Sequence, residues 1–214
     1  MSVRSQASVV TGFLRQCSAA LVIFAVLTVI LGVVYPAAVW ALSRIDPGAA
    51  EGSQLHDARG CVVGSSLIGL DPQVRAGAPD PYLHARVSGS ADDPMSPGDP
   101  AASAASNKGP NDTDLRSWID ARRQLIARRE GVPPTAVPAD AVTGSASGLD
   151  PHISPAYARL QVPRLARTNG LTSAQVEAII DSHTDGRQLG FLGEERVNVL
   201  EVNLALGHGS VACR

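Results

Sequence analysis

The sequence predicts an α/β protein: one N-terminal transmembrane helix followed by a single mixed α/β extracytoplasmic domain. Two observations carry that expectation. From Gln16 to Ser43 the chain has no Asp, Glu, Lys, Arg or His, and Arg15 and Arg44 close the ends of the run. About 20 apolar helical residues at ~1.5 Å each cross a ~30 Å hydrocarbon layer, so the run suffices for one span. After it, helix-patterned segments and short β-branched runs follow one another over a length that suits one domain. Residues 1–15 are then a cytoplasmic N-terminus, 16–43 the transmembrane helix and 44–214 the extracytoplasmic domain, with a flexible loop at about 88–111.

Charge sets the orientation. Arg4 and Arg15 are the only charged side chains ahead of the span, and all 20 acidic residues lie after it. Lys and Arg near a span favour the cytoplasmic side, which places the large C-terminal portion outside. Tyr35 and Trp40 sit near the outer end, where amphipathic rings settle at the headgroups, and Pro36 there loosens only the last turns. A cleaved signal peptide is the rival reading, with Val39-Trp40-Ala41 near a possible cut. Signal h-regions run about 7 to 15 residues, however, so an uncleaved anchor is expected. Cys17 precedes the apolar stretch, the wrong side for a lipoprotein signal.

Beyond the span the balance is mildly acidic, which gives no reason to expect nucleic acid as a partner. Three cysteines are too few for a disulfide scaffold. Cys61 and Cys213 read as two idle thiols, with a pair on the oxidising side as the alternative.

Cys61–Gly69 is apolar and β-branched enough for a short strand, and Pro81–Val87 for another. Ser88–Asn111 is dense in Ser, Ala, Gly, Pro and Asp and reads as an extended loop. Leu115, Trp118, Ile119, Leu125 and Ile126 recur at helical spacing over Asp114–Glu130, with Asp112 or Thr113 as N-cap and Gly131 then Pro133 as stop. Arg116, Arg122, Arg123, Arg128 and Arg129 are expected on its solvated face. Ser154 caps a helix with Pro155 at its first position; Pro163 divides that region into two short helices, Pro155–Gln161 and Pro163–Asn169, the second ended by Gly170. Thr172 and Gln175 form a capping box, with Leu171 and Val176 at the staple positions. In Arg196–Leu206, Leu200, Val202, Leu204 and Leu206 alternate as in a strand.

A search for chemistry narrows the function. In Gly144-Ser145-Ala146-Ser147-Gly148 the middle residue is alanine, where a nucleophile elbow needs serine. An extracytoplasmic hydrolase using Ser147, His152 or Asp150, or an anchored ligand-binding domain, is therefore the weaker alternative. The five histidines are scattered, with no pair at the spacing that brings two imidazoles to one metal. Neither a phosphate loop nor a dinucleotide-binding glycine pattern occurs, and the span carries no Asp, Glu, Lys, Arg or His to relay an ion.

Specific residues then point to a family. Ala141–Arg167 (AVTGSASGLDPHISPAYARLQVPRLAR) strongly resembles the signature of the C subunit of the Kdp potassium-transporting P-type ATPase. Further matches are Gly64–Gly69 (GSSLIG), Tyr82–Arg86 (YLHAR), Ser106–Asn111 (SNKGPN), His183–Gly193 (HTDGRQLGFLG) and Val197–Leu206 (VNVLEVNLAL). The chain departs from the family pattern at Val87, usually proline, and at Leu70, usually glutamine.

The resemblance implies an accessory, non-catalytic, single-pass subunit of the bacterial inner membrane, in a complex that imports potassium at the expense of ATP. A channel-like subunit passes the ion, a P-type ATPase subunit is phosphorylated, and a very small subunit stabilises them. The outer domain is expected to cap the channel-like subunit, and lipid surrounds the span. ATP, Mg and K belong to the complex, with no cofactor held by this chain. The family is also described as a catalytic chaperone that raises the ATP affinity of the pump subunit. Candidate partner-contact or architectural residues are Tyr82, His84 and Arg86; Ser106, Asn107, Gly109, Pro110 and Asn111; and Gly148, Leu149, Asp150, Pro151 and His152.

Overall fold

The computed structural model describes residues 3–87, 89 and 93–209 and divides into two compact units, Met1–Glu51 and Gly52–Arg214. The first is helical. Helix α1 (Val3–Val29) passes through one wide π-turn, Ile30–Val34, into α2 (Tyr35–Ser43), and a short α3 (Pro47–Ala50) follows. The stretch Val10–Ser43 is long and apolar enough to cross a membrane, and none of it is buried.

The π-turn has a sequence cause. Pro36 offers no N–H to the preceding turn, and its ring crowds the carbonyl four residues back. Widening the helix one turn earlier gives that ring room, and the Tyr35 N–H reaches back to the Ile30 carbonyl. Lipid supplies no hydrogen bonds, so this internal repair is what keeps a proline tolerable at that depth. Pro36 therefore acts on the middle of the apolar stretch, ahead of the last turns expected from the sequence.

The second unit is a mixed helix and sheet domain. Strands β1 (Gln54–His56) and β2 (Val62–Ser65) form an antiparallel hairpin with a bulge at Leu55/His56. Helices α4 (Thr113–Glu130) and α5 (Ala139–Val142) come next, then strand β3 (His152–Ile153) and helices α6 (Pro155–Asn169) and α7 (Ser173–Ser182). The chain continues through β4 (Thr184–Asp185), β5 (Arg196–Asn198) and α8 (Val199–Ala205). The second sheet is antiparallel in the order β3-β5-β4.

Local signals set several boundaries. Asp112 caps α4 by accepting from Asp114 N at 2.8 Å and Leu115 N at 3.1 Å, and Gly131 ends it in the left-handed region. Both halves of the Thr172/Gln175 capping box form at α7. Val176 is fully buried there, with Leu171 packed against the same core. That core joins Leu83, Ile126, Tyr157, Leu165, Val176, Ile180, Val197 and Val202.

Other expectations need correction as well. Pro163 does not divide α6, because it and Arg159, whose carbonyl it would otherwise engage, both lie on the exposed face, where water serves the freed group. The other face of α6 buries Tyr157, Ala158, Val162 and Leu165, and that packing holds the helix together. Arg196–Leu206 is strand only to Asn198; the Asn198 side chain accepts from Glu201 N at 3.2 Å and starts α8. Val199, Val202 and Asn203 then bury at helical spacing. Pro81–Val87 joins no sheet among the described residues. Finally, Arg122 is 1% exposed, donating to the Pro94 and Val142 carbonyls, so the arginine face of α4 is not uniformly solvated.

Cys61 is 8% exposed and disulfide-bonded, against the reading of it as an idle thiol. Cys213 lies outside the described residues.

Candidate functional site

The segment Tyr82–Val87 is largely buried, yet its backbone pairs with no strand among the described residues. Buried amides still require partners, and side chains provide them. The Asn203 carboxamide accepts from Leu83 N at 2.7 Å and donates to Leu83 O at 2.9 Å. Gln161 does the same for His84, at 2.9 and 3.2 Å, and Asp71 accepts from Ala85 N at 2.8 Å. Two buried carboxamides thus mimic the edge of a strand.

The His84 ring is clamped between carboxylates. Its Nδ1 lies 3.0 Å from both Asp71 oxygens and its Nε2 2.7 Å from Asp80 Oδ2. Ionised carboxylates only accept, so the ring serves both sides as donor when it carries both protons. Asp80 also meets Arg164, whose guanidinium donates to the Asp80 and Tyr82 carbonyls, to Gln161 Oε1 and to Glu130. Glu130 further accepts from Arg129 Nε at 2.7 Å, and Arg129 donates to the Tyr157 hydroxyl at 2.9 Å. Burial pushes the Tyr157 phenol up to about 12.

Asp80 gives a prediction. Burial acts to raise its pKa, but the His84 hydrogen bond, the charges of His84 and Arg164 and the Tyr82 N–H outweigh it and hold the carboxyl at about 2, below its usual 3.8. A lowered folded-state pKa stabilises above the unfolded value, and that contribution is lost as pH falls from about 4 through 2. Discounted for its partial exposure, the effect is roughly 1–2 kcal/mol. Acid denaturation of Asp80→Asn should therefore show a flatter limb over this window than the parent chain; an unchanged slope contradicts the assignment.

At the end of the segment, Arg86 pairs with Asp150. The Asp150 Oδ1 accepts from His152 N at 2.9 Å, fixing the Asp-Pro-His turn that leads into β3. His152 Nδ1 lies 3.8 Å from the same oxygen. Burial lowers the His152 pKa, with Arg196 acting the same way and Asp150 opposing. Arg86 Nε is buried without a hydrogen-bond partner among the described residues.

Other motif segments converge on this turn. Gly69 N donates to Leu149 O at 2.8 Å, Val199 N to Pro151 O at 3.0 Å, and Asn198 Nδ2 to Ser66 O at 2.9 Å. A Cβ at Gly69 would stand 2.2 Å from the Asp150 carbonyl oxygen, and one at Gly98 2.2 Å from that of Gly148. Only glycine permits these approaches. Gly148 itself adopts φ 73°. Of the Tyr82–Arg86 candidates, Arg86 is the one that meets the Gly148–His152 turn, through Asp150, whereas the His84 ring lies between Asp71 and Asp80 and the Tyr82 ring lies against His208.

Ser106, Asn107, Gly109, Pro110 and Asn111 are not part of that junction. They are exposed beside the start of α4, where Lys108 reaches Asp114 at 2.8 Å and Asp112 at 3.4 Å and covers the Trp118 ring at 5.1 Å. Sequence reasoning passed over Asp71, Asp80, Glu130, Gln161, Arg164 and Asn203. The available signal was polar residues on the apolar stripe of a helix, since Gln161 and Arg164 share a face with Tyr157, Ala158 and Leu165.

The chemistry open to the junction is limited. An open cleft of about 480 Å³ is lined by Arg86, Asp140, Asp150, His152, Glu194, Glu195 and Arg196, which mix both charge signs. The Ser145 hydroxyl accepts from Asp150 N at 3.2 Å and that of Ser147 from Leu149 N at 3.1 Å, so both serve the turn. No cluster of three or more His, Cys, Asp or Glu suited to a metal occurs among the described residues.

Comparison with known proteins adds the family. Residues 17–208 match the family described as "KdpC: K+-transporting ATPase, c chain". Among similar proteins, the potassium-transporting ATPase KdpC subunit of Kineococcus radiotolerans is 46% identical over 196 residues, covering 92% of this chain and 95% of its own. The corresponding subunit of Streptomyces coelicolor is 41% identical over 217 residues, covering 92% and 93%, and that of Mycobacterium tuberculosis is 44% identical over 193 residues, covering 90% and 97%.

Proposed function

The chain belongs to the KdpC family of K+-transporting ATPase c chains, and we propose that it is an accessory, non-catalytic subunit of an ATP-driven potassium import complex. In this reading it stabilises the assembly of a channel-like subunit, a P-type ATPase subunit and a small stabilising subunit. The observation that supports it most is that the motif residues are engaged with one another. Asn203, Gln161, Asp71, Asp80 and Arg164 hold Tyr82–Arg86, and Arg86 holds Asp150. Such a rigid block suits docking better than turnover of a substrate.

The apolar helix Val10–Ser43 anchors the chain in the membrane. Arg4 and Arg15 ahead of it favour a cytoplasmic N-terminus and an extracytoplasmic domain. The disulfide of Cys61 favours the same, oxidising side. A domain placed there does not touch cytoplasmic ATP, so any rise in the ATP affinity of the pump subunit travels through the assembly as coupling between distant sites.

Deletion tests the reading. Cells lacking the chain should fail to grow on limiting potassium and recover in abundant potassium, and the tagged chain in mild detergent should bring down a P-type ATPase and a channel-like protein. Normal growth of the deletion strain on limiting potassium would contradict the proposal.

A further inference from the structure

We propose that the tip of the β4–β5 hairpin, Leu189 to Leu192, together with Glu195 is a docking surface for a protein partner that offers an apolar socket beside a lysine or arginine. Strands β4 and β5 pair Asp185 with Arg196, and the Arg196 guanidinium donates to Asp185 Oδ2 at 2.9 Å. Further along, Gln188 N donates to Leu192 O and Leu192 N to Gln188 O, both at 2.9 Å, and Arg187 meets Glu194 at 2.7 Å. The tip is therefore a closed turn on a paired base.

Two features of that turn cost the isolated chain free energy. Leu189 is 84% exposed, Phe191 68% and Leu192 47%, so three large apolar side chains of one short turn face water. Leu189 also adopts φ 54°, a left-handed conformation that asparagine or glycine takes far more readily than leucine. A turn that only joined two strands would favour asparagine there. Leucine instead keeps an apolar anchor at the most exposed position of the turn, as a protein interface requires.

Charge decides what covers it. Arg86 pairs with Asp150, Arg187 with Glu194 and Arg196 with Asp185. These pairs leave Asp140 and Glu195, which line the cleft beside the tip, with no ion-pair partner among the described residues. Excess carboxylate next to the apolar side chains is repelled by anionic lipid headgroups, and interfacial membrane segments carry Lys and Arg in its place. A cationic side chain of a protein complements it. Identifying that protein as a subunit of the potassium-transporting complex rests on the function proposed above; the chemistry of the surface does not.

A benzophenone amino acid in place of Phe191 in the full-length chain, photolysed in membranes of cells that express the whole complex, reads what covers the tip. The expected adduct is with a second protein, at an apolar segment that carries a lysine or arginine. Its yield should fall ~10-fold or more with Glu195→Lys or Leu189→Asn, as for the loss of an interface anchor. Leu189→Asn should at the same time leave the chain's melting temperature unchanged or raise it, because asparagine relieves the left-handed backbone. An adduct with lipid, with a second copy of this chain or with nothing overturns the proposal, as does one indifferent to both substitutions. So does a Leu189→Asn chain that melts lower, which would make the turn part of the domain's own framework. If the expected adduct forms on a protein outside the potassium-transporting complex, the surface stands and the proposed function fails. If the parent chain recovers a P-type ATPase and a channel-like protein while the adduct fails, the proposed function stands and the surface is overturned.

Discussion

Arg164→Leu should destabilise the second unit by about 3 kcal/mol or more, the range for removing one partner of a buried ion pair. The side chain of Glu130 is completely buried, and Arg164 contacts it at 3.0 Å. Arg129 remains beside it at 2.7 Å, which keeps the loss toward the lower end. The same substitution strips donors from the Asp80 and Tyr82 carbonyls and from Gln161, loosening the segment that carries His84 and Arg86. Urea denaturation of the full chain in detergent, followed by Trp118 fluorescence in a Trp40→Phe background, reads the effect. Arg164→Lys should restore only part of it, because an ammonium lacks the planar fork that reaches all of these partners. A loss below about 1 kcal/mol would mean that the network does not hold the segment.

Gly69→Ala should be nearly as damaging, by about 2–3 kcal/mol through overpacking. Its Cβ would meet the Asp150 carbonyl oxygen at 2.2 Å and the Pro151 Cα at 2.6 Å, and both are backbone atoms that cannot rotate away. Relief requires separating the Gly64–Gly69 segment from the turn that presents Asp150 to Arg86. Gly64→Ala is the contrast, since the nearest atom there is the tip of the Leu200 side chain at 3.0 Å. Its cost should be within about 1 kcal/mol. Equal effects of the two substitutions, in melting temperature or in recovered complex, would show that the contact at Gly69 is not special.

Much of the fold was legible wherever a local signal agreed with its surroundings. The apolar run, the Asp112 cap, the Ser154-Pro155 start and the Thr172/Gln175 capping box each act within a few residues, and each formed. What escaped the sequence depends on distant partners. Pro163 looked like a breaker because nothing in the sequence says that it faces water. Leu200 to Leu206 alternates well enough for a strand, and only the capping of Asn198 and the burial of Val199, Val202 and Asn203 decide for a helix. Pro81–Val87 reads as a short strand by its composition, but the partners of its backbone are the side chains of Asn203, Gln161 and Asp71.

The candidate site was legible as motifs and not as a network. Tyr82–Arg86 and Gly148–His152 stood out by resemblance, and they do meet, through Arg86 and Asp150. Arg164, Glu130 and Gln161 were not singled out in the sequence, since polar and charged residues on a helix normally point to solvent. Their burial follows from the need of a ladderless segment for hydrogen-bond partners. The separation of Ser106–Asn111 from the junction likewise depends on Lys108 and its contacts at the start of α4.

The central claim is that these residues build and hold a docking subunit and perform no reaction step. It is tested most directly by assembling the potassium-transporting complex with Arg86→Ala, Asp150→Asn or His152→Ala in this chain and measuring two quantities for each: the amount of intact complex recovered, and the potassium-stimulated ATP turnover per intact complex. The account predicts that recovery falls several-fold for Arg86→Ala while turnover per complex stays within about twofold of the parent, a difference of only ~0.4 kcal/mol. Full recovery with turnover reduced a hundredfold or more would contradict it, and would make the junction a site of chemistry.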